Sequence, residues 1–189
     1  MSSRGLRTRE RILAAAEQDL IAHDGIDIVR VASAAGISVG GLYHHFAAKD
    51  DLLAAVVTAF HARHNEQVIY AEIPGPWRER ERERIRRSVR FHYADPLAPL
   101  LVTRAVTDAQ IARIDAQELA RAARASAANL AAAQRNGELP ATLDCDLAGA
   151  MLMGGSRQVI ARALTLKRRP AASRLADELW AMCAAIVDA

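Results

Sequence analysis

An all-α fold is what this sequence predicts, and three observations lead there. Alanine, leucine and arginine, all strong helix formers, dominate the composition. Aromatic residues make up only 4%, which gives a β-sheet little to pack with. Apolar side chains recur at three- and four-residue spacing along segment after segment, the period of a helix rather than of a strand. With 189 residues there is room for one or two small domains with cores of their own.

The first helix is expected from about Arg7 to His23, with Leu13, Ala16 and Leu20 on one face and Gly25 as its stop. Asp27 is placed to cap a second helix, Ile28 to Ala35, whose inner stripe is Ile28, Val31, Ala32 and Ala35. Gly36 ends it, Ile37 plugs the turn, and Ser38 caps a third helix running through His45, with Leu42 and Phe46 one turn apart. Three helices in about forty residues, the last two joined by a tight glycine-containing turn, match a helix-turn-helix.

A longer helix starts near Lys49, with Asp50 and Asp51 at its positive dipole end and Leu53, Val56, Val57 and Phe60 as its apolar stripe. Pro74, Gly75 and Pro76 break the chain. Between Arg78 and Arg90 lie seven arginines and three glutamates, read as a solvated helix face laced with i,i+4 pairs. A short helix is expected from Leu100 to Val106 after Pro96 and Pro99, then a capping box of Thr107 and Gln110 opening a long helix that Asn136 and Gly137 end. Asp144 caps the next, to about Lys167. The last runs from about Ala172 to Val187, with Leu175, Leu179, Met182 and Ile186 at spacings of four, three and four.

No apolar run approaches the roughly eighteen residues of a membrane span, and the charged start, Met1 to Arg11, lacks the apolar stretch of a signal peptide. The expectation is a cytoplasmic protein without a membrane partner. Cys145 and Cys183 lack metal or redox spacing and are read as reduced side chains. No nucleophile elbow, phosphate loop, HExxH or paired-carboxylate pattern is present, so the chain is not read as an enzyme. His61, His64 and His92 have no carboxylate or cysteine at ligand spacing, and neither a metal nor a cofactor is expected. The formal net charge is only +3, and residues 1–50 carry six basic and six acidic side chains. A nucleic-acid surface must therefore come from local arrangement, for which Arg4, Arg7, Arg9 and Arg11 offer one cluster.

One stretch is more specific than its periodicity. Ala35-Gly36-Ile37-Ser38-Val39-Gly40-Gly41-Leu42-Tyr43-His44-His45-Phe46, followed by Lys49, Asp50 and Leu52, closely resembles the signature of TetR-family transcriptional regulators. The likeness spans Thr8 to Phe60, and turn, cap, recognition helix and next helix start come in one fixed order. It implies an N-terminal helix-turn-helix DNA-binding domain, residues 1–50, and a C-terminal ligand-binding and dimerisation domain, residues 51–189, in about nine helices. It also implies a homodimeric repressor that leaves a palindromic double-stranded operator when a small-molecule effector binds.

By the same resemblance, Ser38 reaches a phosphate, Gly40 and Gly41 let the backbone approach the duplex, Tyr43 and His44 face the major groove or its rim, and Lys49 contacts phosphate beside free helix amides. Arg30 is a further backbone contact, and His45 packs inward. The chain departs from the family pattern at several places. The segment from Gly25 to Val31 is about three residues shorter, and Asp27 replaces the usual threonine or serine. Val39 and Gly41 replace a lysine and a small hydroxyl residue, leaving Val39 to touch a thymine methyl. Ala48 cannot cap the fourth helix. These departures keep open an alternative, a same-fold dimer that binds a small molecule or a protein with little or no operator affinity.

The last two long helices are expected to pair across the dimer, with Gly149, Gly154 and Gly155 allowing close approach there or within the subunit. The effector pocket is expected among Phe60, His64, Trp77, Phe91, His92, Met151 and Arg157. Arg157, in an otherwise apolar helix, calls for an anion, supplied by a salt bridge or by a carboxylate-bearing effector.

Overall fold

The computed structural model describes residues 3–104 and 108–188. Val106 and Thr107 lie outside the described residues, as does the side chain of Arg4. Among the described residues there are nine α-helices and no strand: α1 (Ser3–His23), α2 (Ile28–Ala34), α3 (Val39–His45), α4 (Lys49–His64), α5 (Trp77–Ala94), α6 (Leu97–Arg104), α7 (Ala109–Arg135), α8 (Cys145–Thr165) and α9 (Ala172–Val187).

Local chemistry explains most of the boundaries. Asp27 accepts the amides of Val29 and Arg30, both at 2.9 Å, and so opens α2. Its end is a left-handed turn: Gly36 has φ 64° and the Ile37 amide donates to the Ala32 carbonyl at 3.0 Å, a closure that a Cβ at Gly36 would strain. Ser38 then caps α3, its Oγ accepting the Gly41 amide at 3.0 Å. Ala48 offers no side chain to α4, but Asp51 reaches back to accept the Ala48 amide at 3.0 Å, half of a capping box. Asp108 accepts the amides of Gln110 and Ile111 at 2.9 and 3.0 Å and so caps α7; the expected Thr107 box lies outside the described residues. Asp144 caps α8 as expected.

Two elements differ from expectation. α6 starts three residues early, at Leu97, because Asp95 accepts the Leu97 amide at 2.9 Å; Pro99 falls in the first turn, where a missing N–H costs nothing. α4 does not simply end but widens into a π-helical turn, Asn65–Ile69. Arg84 of α5 holds that turn, donating to the carbonyls of Val68, Ile69 and Ala71, groups the helix end leaves without partners.

One continuous core joins the two halves. Leu20, Val31, Leu42 and Phe46 from the first three helices meet Val56, Val57 and Phe60 of α4, which in turn meet Val89, Leu97, Ile111 and Ile160. A smaller cluster of Trp77, Leu130, Ala133, Cys183 and Val187 joins α5, α7 and α9. α7 and α8 pack so closely that a Cβ on Gly149 would come within 2.8 Å of the Ala127 backbone nitrogen. Gly149 therefore serves packing within the subunit, whereas added Cβ atoms on Gly154 and Gly155 would meet nothing within 4 Å. No helix among the described residues is long and apolar enough to cross a membrane.

Candidate nucleic-acid interface and the cavity behind it

α3 is only seven residues long, too short to persist without packing. Leu42, fully buried, and Phe46, almost so, anchor it to the core, and a buried leucine alone contributes roughly 1.5–3 kcal/mol. The opposite face is left outward: Ser38, Val39, Gly40, Tyr43 and His44 are all exposed, and Lys49 is exposed at the start of α4. His45 is half-buried with its ring edge-on to His44. Gly40 has open space where a Cβ would stand. Arg9 of α1 lies with its guanidinium 4.9 Å from the centre of the Phe46 ring, beside this face.

Arg30 is not free for a phosphate in this arrangement. Its Nε and Nη2 donate to Asp19 at 2.6 and 3.1 Å, and Asp19 also accepts the Asp27 amide at 2.7 Å. The Arg30 guanidinium holds the nearly buried Asp19 carboxyl below the usual carboxylate range. These contacts tie the start of α2 to α1.

The arginine-rich face of α5 is likewise spent within the molecule. Arg78 pairs with Asp188, Arg82 with Asp177 at 3.1 Å, and Arg87 and Arg90 with Glu83 at 3.1 and 2.9 Å.

Behind α4 lies a cavity of about 110 Å³ bounded by α4, α5, α6, α7 and α8. Its apolar wall includes Val57, Phe60, Leu101, Ile111, Leu119, Met153 and Ile160; its polar wall includes His61, His64, Asn65, Ser88, His92, Asp115, Glu118 and Arg157. Arg157 pairs with Asp115, and His61 Nε2 lies 3.7 Å from the same carboxylate. Glu118 accepts from Asn65 at 3.0 Å and pairs with Arg121. His64 Nε2 is 3.2 Å from Ser88 Oγ, and His92 Nδ1 is 2.8 Å from the Ser88 carbonyl. Burial pushes His61 down to about 4. Burial and the neighbouring His92 push His64 down to about 3. Burial also lowers His92, so the three imidazoles are neutral near pH 7. Among the described residues no group of three histidine, cysteine or carboxylate side chains is arranged to hold a metal ion.

Residues 12–56 match the family model described as bacterial regulatory proteins, tetR family. The match covers about a quarter of the chain, toward its N-terminus, and over that segment the chain is similar to the tetR family. Solved structures of similar fold span nearly its whole length. Salmonella enterica GusR is 22% identical, with 97% of each chain covered and a TM-score of 0.77. A TetR-family transcriptional regulator from Syntrophomonas wolfei is 14% identical, covering 97% of this chain and 96% of that one, with a TM-score of 0.78. FadR from Bacillus subtilis, solved with stearoyl-CoA, is 17% identical, covering 94% and 98%, with a TM-score of 0.73. At these identities the likeness is one of fold. A search of curated proteins gives no match.

Within the matched segment Ser38, Val39, Gly40, Tyr43, His44 and Lys49 share one exposed surface, with Gly41 half-buried at its edge and its amide serving the Ser38 cap. Arg30 stands apart, held by Asp19. Of the residues expected around an effector, Phe60, His64, His92 and Arg157 line the cavity. Phe91 does not; it stands behind them, its ring 5.4 Å from that of Phe60. Trp77 is buried in the other cluster, 6.3 Å from the ring of Trp180. Met151 points out of α8 and is 59% exposed, while Met153, two residues and so about 200° further round the helix, takes the lining place. The reading from sequence missed Asp115 and Glu118, although their spacing of three with Ile111 and Leu119 nearby puts both on the inner side of α7.

Proposed function

We propose that the protein is a homodimeric transcriptional repressor whose α3 enters the major groove and which leaves its operator when a small molecule fills the cavity behind α4. The observation that carries this reading is the exposed face of α3 continuing into Lys49. A hydroxyl cap, a glycine that brings backbone to the surface, two hydrogen-bonding rings and a lysine at a helix start form one outward patch, the set of groups that positions a helix on phosphates and reads base edges. Residues 1–50 act as the DNA-binding unit, and residues 51–189 hold the effector and the dimer contacts, in the cytoplasm.

The twofold partner is read onto α8 and α9. Leu147 and Met151, one turn apart on α8, and Met182 on α9 are 65, 59 and 48% exposed, and Gly154 and Gly155 leave room beside them. Pairing there sets two copies of α3 about 34–36 Å apart and calls for a palindromic site.

α4 supplies the link between ligand and DNA. Lys49 stands at one end and Phe60, His61 and His64 toward the other, roughly 16 to 22 Å along the axis at 1.5 Å per residue. Arg63 on the same helix clasps Glu17 of α1 at 3.0 Å and Asp95 before α6 at 3.1 Å. A ligand that moves the last turns of α4 therefore moves the base of α3. The FadR neighbour is described with a bound acyl-CoA, which supports the reading that a fold of this kind holds a ligand. Engagement of Arg30 by Asp19 favours the rival reading, a ligand- or protein-binding dimer without an operator. Fluorescence anisotropy against duplexes from upstream of the chain's own gene decides between them: specific binding that survives competitor DNA and weakens linearly with log salt supports the repressor, and binding no tighter than to random duplex overturns it.

A further inference from the structure

We propose that the cavity takes a compact, uncharged ligand of single-ring size that carries a hydrogen-bond donor, a phenol-type molecule, and that it rejects carboxylates. This rests on the reading of the cavity as the effector site.

Size comes first. A volume of about 110 Å³ is on the scale of the roughly 150 Å³ apolar cavity known to take up benzene, and leaves no space for a long acyl chain with its carrier. Phe60, Leu101 and Ile160 give the ring an apolar seat.

Charge comes second. Arg157, the guanidinium of the wall, is already forked onto Asp115, so an incoming carboxylate would find no free cation and would lie against Asp115 and Glu118. An ammonium ligand does little better: both carboxylates already have arginine partners, and the rest of the wall cannot replace its hydration.

Hydrogen-bonding capacity comes third. A carbonyl oxygen only accepts, so the 2.8 Å contact to Ser88 fixes the proton of His92 on Nδ1. In the neutral ring Nε2 is then an acceptor, and it has no partner among the described residues. Asp115 and Glu118 keep spare lone pairs on the same wall. The wall thus presents acceptors, and the matching ligand group is a hydroxyl.

The test is isothermal titration calorimetry of the full chain with phenol, benzoate, benzylamine and toluene, which share one ring and differ in the group attached. Phenol is expected to bind at least about tenfold more tightly than each of the others. His92→Phe should bring phenol down to the level of toluene while toluene is unchanged, and Leu119→Phe, which fills space and leaves every polar group in place, should abolish binding of all four. Benzoate or benzylamine binding as tightly as phenol, or no phenol binding at all, overturns the proposal, and both comparisons are made on the unsubstituted chain. Anisotropy with the operator separates the two claims. Phenol that binds without releasing DNA keeps the ligand class and removes the effector role, whereas release by benzoate keeps the effector role and removes the ligand class.

Discussion

Acidification acts on the histidines of the cavity wall. His61 and His64 ordinarily titrate at 6.5 and are held at about 4 and about 3 in the folded chain, in each case chiefly by burial. As the pH falls below 6.5 the unfolded chain takes up protons that the folded chain refuses, so stability is complete above that value and is lost on the acid side. Going from about pH 7.5 to about pH 5 costs roughly 2 kcal/mol per histidine, about 4 kcal/mol for the pair, and His92 adds in the same direction. Carboxylates held low, such as Asp19, act only further down, below the ordinary carboxylate value near 3.8, so the window between pH 7 and 5 belongs to the histidines. Urea unfolding followed by circular dichroism at both pH values measures the difference. A His61→Phe/His64→Phe chain should lose most of this pH dependence. Equal dependence in the two proteins would refute the assignment of the loss to these rings.

Further outcomes follow from packing and charge. Gly149→Val drives a side chain into the Ala127 backbone and should cost at least about 1–3 kcal/mol in a denaturant melt, whereas Gly155→Ala, in open space, should leave the subunit's own unfolding unchanged or improve it slightly. Asp19→Ala removes the clasp on Arg30 and on the Asp27 amide. Because Arg30 is half exposed and regains water, a loss of about 1–3 kcal/mol is expected by chemical unfolding. Lys49→Ala should weaken binding to all duplexes alike and lower the slope of log affinity against log salt by about 1, read by anisotropy.

The helix-turn-helix was legible because each of its steps has a local chemical cause. Asp27 and Ser38 cap by their own side chains, Gly36 supplies the left-handed turn, and Leu42 and Phe46 mark the inner face. The cavity was legible only in part. Phe60, His64, His92 and Arg157 stood out by residue type, but which turn of a helix faces inward depends on its neighbours, and Met151 and Met153 exchange places on that account. Asp108 as the cap of α7, the π-helical turn with its Arg84 clamp, and the Asp19–Arg30 pair arise between segments distant in sequence or from competition between adjacent polar residues. No spacing rule announces them. Six of the seven arginines of α5 form ion pairs, as expected of that face. Arg82 and Arg86, however, pair with Asp177 on α9 and Arg78 with Asp188 just past it rather than one turn away, while Arg80 donates to the Gly75 carbonyl.

Amide hydrogen exchange on the full chain, free and bound to its upstream duplex, tests the docking surface directly. Slowed exchange concentrated in residues 38–49, with the arginine face of α5 unchanged, is the predicted result. Protection on α5 with 38–49 exchanging as in the free chain would contradict it.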